Sequence, residues 1–124
     1  MKFEKKILII DDDRNNILAL NAVLKSKGFD CVSATSASTG IEMLKANSVF
    51  GLVLMDMMMP DIDGYEAMKM LHSLPSLSSI PIVAVTAQAM TGDKERCLNA
   101  GASGYVSKPI NIEELETMIH QLMN

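Results

Sequence analysis

Apolar residues along the chain gather in short runs closed by turn-forming residues, with helical spacing between them. The runs are ILII at 7–10, CVSA at 31–34, LVLM at 52–55, IVAV at 82–85 and YV at 105–106. They predict five β-strands. Because the runs are continuous rather than alternating, each strand is expected to be covered on both faces. Between the runs, apolar positions fall three or four apart: Leu20, Val23 and Leu24, with Lys27, ahead of Gly28; Ala37, Ile41 and Leu44; Ala67, Met68 and Leu71; Leu98 with its neighbours; and Ile112, Leu115, Ile119 and Leu122. That spacing predicts five helices. Gly28 stands where a glycine just past a helix C-terminus belongs, and Asn111 with Glu114 reads as a capping box. Gly64, after PDID, marks the start of the third helix through the backbone freedom of glycine. Strand and helix alternating in this way define an α/β chain with a parallel sheet. In such sheets ligands bind at the carboxyl ends of the strands, so the residues just after each run are where chemistry belongs.

Length and composition narrow the function. A chain of 124 residues buries one core, so residues 1–124 are expected to form one domain. Eleven Lys+Arg against fifteen Asp+Glu give a formal charge of -4, which argues against direct nucleic-acid binding. Cys31 and Cys97 have neither metal-ligand spacing nor the density of a disulfide scaffold, and both read as reduced thiols of a cytoplasmic protein. The basic start MKFEKK leads into only four apolar residues before three aspartates, too few for an export signal. No apolar stretch approaches the ~20 residues that cross a bilayer, so no membrane partner is expected.

The polar residues at the strand ends carry the candidate chemistry. Asp11, Asp12 and Asp13 follow the first run, Asp56 the third and Thr86 the fourth, while Lys108 lies two residues past the fifth. If these strands are neighbours, the carboxylates converge and need a cation. Oxygen ligands without a His or Cys cluster suit Mg²⁺ rather than zinc. One carboxylate could then act as nucleophile toward phosphorus, and Asp56, alone at the end of a strand expected at the sheet centre, is the candidate. Lys108 offers a compact positive charge for one phosphoryl oxygen, and Thr86 a hydroxyl for another.

At this point the chain resembles the receiver domains of two-component response regulators. The likeness rests on ILIIDDD at 7–13, LVLMDMMMPDIDG at 52–64, IPIVAVTA at 80–87 and GASGYVSKPI at 101–110. It implies a flavodoxin-like fold with strand order 2-1-3-4-5 and Mg²⁺-dependent phosphorylation of Asp56 from a sensor histidine kinase or histidine phosphotransfer protein. By the same likeness Mg²⁺ would be held by Asp12 and Asp56 directly, by the backbone carbonyl of Met58, and by Asp11 through water. Thr86 and Tyr105 would be the switch residues, and a cis peptide is suggested between Lys108 and Pro109. Such a domain catalyses its own phosphorylation and slow dephosphorylation, and works as a monomer or a phosphorylation-linked dimer toward an output partner that the sequence does not name. A long Met58 side chain would border the path of the attacking water, and so bear on phosphoryl lifetime. Asp13, where many relatives carry asparagine, either strengthens the ion site or caps the first helix. The segment TAQAMTGDKERCLNAG is similar to receivers joined to histidine kinases.

Blander readings stand beside these. Three aspartates in a row can be a solvated helix N-terminus, the methionines including Met57, Met58 and Met59 are core filler, and His72 and His120 are surface or packing residues. The rival functions are an aspartyl-phosphate phosphohydrolase, which would need a second acid where Met58 stands, and a phosphorylation-independent interaction module. A nucleotide-binding fold lacks its glycine-rich turn after the first strand. Finally, at roughly 100° per residue, Leu18 lies about 170° from the centre of the stripe of Leu20, Val23 and Leu24. It should be exposed, and with Asn15 on the same side it is a candidate docking contact for a phosphodonor's helix.

Overall fold

Among the described residues, five strands and five helices alternate: β1 (Lys6–Ile10), α1 (Arg14–Ser26), β2 (Cys31–Ala34), α2 (Ala37–Ala46), β3 (Phe50–Asp56), α3 (Gly64–His72), β4 (Ile82–Thr86), α4 (Asp93–Asn99), β5 (Gly104–Ser107) and α5 (Ile112–Met123). The computed structural model describes residues 5–60, 62–87 and 92–123. The start of MKFEKK, Asp61 of PDIDG and residues 88–91 of the TAQAMTGDKERCLNAG segment therefore lie outside the described residues. All strands pair in parallel in the order β2-β1-β3-β4-β5, the flavodoxin-like arrangement expected.

Period-two alternation along each strand sends successive side chains to opposite layers. Leu8, Ile10, Val53, Met55, Ile82 and Ala84 pack with Ile41, Leu44, Met68, Leu71 and Cys97 of α2, α3 and α4. Ile7, Ile9, Leu52, Leu54, Val83 and Val85 pack instead with Ile17, Leu20, Leu24, Leu115 and Ile119 of α1 and α5. With both faces covered, the strands need apolar residues throughout, which is why they read as unbroken runs. The polar character at their carboxyl ends then marks where the helices stop covering the sheet.

The caps follow the sequence pattern. Gly28 adopts φ +94 beyond α1, and the Asn111 side chain accepts the Glu114 amide at 3.0 Å at the head of α5. The peptide between Lys108 and Pro109 is cis. Two expectations change. In α4, Leu98 is 40% exposed and Cys97 is the buried position, because a helix of seven residues gives periodicity too few turns to fix its phase. Gly64 has no left-handed backbone; instead, a Cβ there would meet the Met57 side chain and sit 2.8 Å from the Met57 Cα. Its role is close approach. Gly64→Ala is therefore expected to destabilise the domain by about 1–3 kcal/mol, measured by urea unfolding, whereas a merely permissive loop glycine would leave stability unchanged.

Candidate functional site

Strand register brings the candidate residues together. Ile10 of β1 pairs with Met55 of β3, so Asp11 and Asp56 follow side by side at the carboxyl edge. On the other side of β3, Asp56 pairs with Val85, one residue before Thr86. Thr86 pairs with Ser107 of β5, and its carbonyl accepts the Lys108 amide at 2.8 Å, which holds Lys108 at the same edge. Among the described residues, Asp11, Asp56 and Thr86 are the buried polar or charged ones. Their placement at the end of an otherwise apolar sheet calls for specific partners.

Those partners are present. Asp11 Oδ1 accepts the Asp13 amide at 2.9 Å, while Oδ2 accepts the Asn16 side-chain amide and lies 3.4 Å from Lys108 Nζ. Asp56 Oδ1 accepts the Met58 amide at 3.1 Å, and Oδ2 lies 3.9 Å from the same ammonium. Burial, with the neighbouring Asp11 carboxylate adding to it, raises the Asp56 carboxyl to about 6, against the pull of the Met58 amide and Lys108. Asp12 is exposed, and an oxygen from each of Asp11, Asp12 and Asp56 can lie within 4.8 Å of the others.

This donor set fits a hard divalent cation. Three carboxylates gather beside one ammonium that pairs with only two of them, every donor is oxygen, and one wall is open to water through the exposed Asp12. Asp13 is not in the cluster: its side chain accepts the Asn15 and Asn16 amides at 3.0 and 3.3 Å and caps α1. Met57 and Met59 are buried as core filler, but Met58 is 53% exposed beside the site.

Tyr105 is half-buried on β5, and its hydroxyl donates to Asp93 Oδ2 at 3.0 Å. Sequence reasoning missed the rest of this junction. The Tyr65 hydroxyl of α3 donates to Asp93 Oδ1 at 3.2 Å and lies 3.5 Å from the Cys97 thiol, with the Arg96 guanidinium 4.2 Å above its ring. One carboxylate at the head of α4 thus ties α3 to β5. Burial first, and the Asp93 hydrogen bond next, push the Tyr105 phenol up to about 12. Neither cysteine is in a disulfide, and burial raises the Cys31 thiol to about 11 and the Cys97 thiol in the same direction, so both favour the unreactive protonated form. Asn16 was missed as well, although its place one turn past three aspartates was a usable signal.

On the flank of α1 toward α2, Leu18 is 67% exposed, as its helical phase predicts, and it borders a groove with Arg14, Ser33, Thr35 and Thr39. Asn15 is exposed one turn earlier. On the opposite flank, Asn16, Ala19, Leu20 and Val23 face Lys108, Pro109 and Ile110 across a groove of about 240 Å³.

A parallel 2-1-3-4-5 sheet with an acidic pocket and a lysine at its carboxyl edge defines a receiver domain. Residues 7–120 match the response regulator receiver domain family, and the chain belongs to it. Among its relatives, the signal transduction histidine-protein kinase BarA of Escherichia coli K12 is 36% identical over 118 residues. That match covers 95% of this chain but only 13% of the kinase's length. The polar-differentiation response regulator DivK of Brucella ovis is 32% identical over 108 residues, 87% of each chain. A CheY-like response regulator receiver domain protein from Methanospirillum hungatei superposes with a TM-score of 0.83 at 32% identity, covering 94% of this chain and 91% of that one. Among the described residues, no helix is long and apolar enough to cross a membrane.

Proposed function

We propose that this receiver domain is a Mg²⁺-dependent phosphoryl acceptor in which Asp56 takes the phosphoryl group from a phosphohistidine of a sensor kinase or phosphotransfer protein. The observation that carries the proposal is the placement of Asp56, a buried carboxylate at the sheet edge, between an acidic pair and an ammonium 3.9 Å away. Asp12 and Asp56 would ligate Mg²⁺ directly, the Met58 carbonyl would supply a third ligand, and Asp11 would act through water. When bound, the ion neutralises charge on the phosphoryl oxygens. The protein's own groups do the remainder. The Met58 amide, bonded to Oδ1, orients the Asp56 carboxylate for in-line attack, in which an Asp56 O–P bond forms as the histidine N–P bond breaks. Lys108 moves its charge from Asp11 and Asp56 to a phosphoryl oxygen, and the Thr86 hydroxyl donates to another.

Output follows as a population shift. Thr86 would draw toward the phosphoryl group, Tyr105 would turn, and the surface of α4, β5 and α5 would change its preference for an output partner, or for a second copy of the domain. The domain works in the cytoplasm, and Met58 at the rim of the site bears on how long the phosphoryl group lasts. Incubation with Mg²⁺ and a small phosphodonor should add the mass of one phosphoryl group, and no gain would refute the proposal. Leu18 and Asn15 are the contacts proposed for the phosphodonor's helix. Leu18→Glu should slow transfer from a phosphohistidine protein about tenfold while sparing the small donor, as expected for loss of an apolar contact and gain of an unpaired charge at an interface. Equal slowing of both would rule out docking.

A further inference from the structure

We infer that Asn16 is a positioning residue that presets the Asp11 carboxylate and thereby sets the affinity of the site for its divalent cation. The inference rests on the proposed Mg²⁺ site and concerns a residue that touches neither the ion nor the phosphoryl group.

The geometry is a closed ring of hydrogen bonds. Asp11 Oδ1 accepts the Asp13 amide at 2.9 Å, Asp13 Oδ1 accepts the Asn16 amide at 3.3 Å, and the Asn16 side-chain amide donates back to Asp11 Oδ2. Asp13 as the cap begins α1, and Asn16 then falls one turn along, where its side chain reaches back to the strand end. Each oxygen of Asp11 is thereby held, so the carboxylate plane is fixed relative to both β1 and the first turn of α1. The amide must present nitrogen, because its oxygen would face a carboxylate oxygen.

The shared oxygen decides what the ring does. Asp11 Oδ2 also attracts Lys108, 3.4 Å away against 3.9 Å for Asp56. Without the Asn16 amide, Lys108 would be the partner this oxygen retains, and it would draw the carboxylate toward itself and out of the position the ring sets. The amide gives Oδ2 a neutral partner, so Asp11 stays in the acidic cluster without holding Lys108 fully. Outer partners of this kind commonly change metal affinity by about 10–100-fold when lost.

Asn16→Ala removes no charge, so it separates positioning from charge counting. Calorimetric titration of the unphosphorylated domain with MgCl₂ should give binding at least tenfold weaker than wild type. With a small phosphodonor, the Mg²⁺ concentration for half-maximal phosphorylation should rise by the same factor, with the plateau rate retained at saturating Mg²⁺. Asn16→Leu, which fills the space without a donor, should behave alike and keeps the test valid if the alanine variant folds poorly. Unchanged Mg²⁺ affinity in a folded variant, or a lower plateau at unchanged half-saturation, would overturn the inference. Failure of wild type to bind Mg²⁺ would instead overturn the proposed function.

Discussion

Asp56→Asn is expected to reduce phosphoryl gain from a small donor in Mg²⁺ to background, the largest effect of any single substitution. The change is nearly isosteric but removes the anionic oxygen that would attack phosphorus and deletes one charge from the cluster of Asp11, Asp12 and Asp56. Intact-protein mass spectrometry reads the result, and undiminished gain would place the acceptor elsewhere. The same substitution should stabilise the metal-free fold by roughly 1–3 kcal/mol at neutral pH, because a buried carboxylate beside two others is costly. The sign follows from linkage. Folding raises this group from 3.8 to about 6, so the folded state binds its proton more tightly than the unfolded chain. Wild-type stability relative to the variant should accordingly fall as pH rises through that interval and stay low above it. A melting-temperature series against pH in chelator measures the gap, and an unchanged gap would contradict the cost assigned to this carboxylate.

Lys108→Ala should slow phosphorylation by a small donor about 10²–10³-fold at saturating Mg²⁺, the scale for removing one preorganised charge from a developing anion. Among the described residues, Lys108 makes both ion pairs of the acidic pocket, at 3.4 Å to Asp11 and 3.9 Å to Asp56. Its backbone is tied to β4 through the Thr86 carbonyl, so the ammonium is aimed by the sheet rather than by a loop. Lys108→Arg should recover little of the rate, because a planar fork does not replace a compact charge at this distance. Initial rates followed by mass gain decide it, and an arginine variant as fast as wild type would show that any nearby cation suffices.

Much of this site was legible in the sequence for a definite reason. Strands covered on both faces must be apolar along their length, so Asp11, Asp56 and Thr86 stand out as the points where covering ends. Parallel register then places equivalent strand ends beside one another, which is why residues 45 positions apart, Asp11 and Asp56, converge. The illegible parts depend on distance or on shape. Asn16 looks like an ordinary helix-surface amide until the first turn of α1 folds it back over β1. Tyr65 and Asp93 are 28 residues apart and belong to no shared pattern. Cys97 rather than Leu98 faces the core because α4 is too short for spacing to reveal its phase. The need for glycine at 64 came from Met57, a neighbour in space whose closeness no local rule predicts.

The meeting of Tyr65 and Tyr105 on Asp93 has an optical consequence. The chain has two tyrosines and no tryptophan, and both phenols end on that single carboxylate. Near-ultraviolet absorbance at about 280 nm and the tyrosine emission of the unlabelled polypeptide therefore come from one junction, and a displacement of the α4 head that breaks either hydrogen bond is expected to register there as a spectral change without an attached dye.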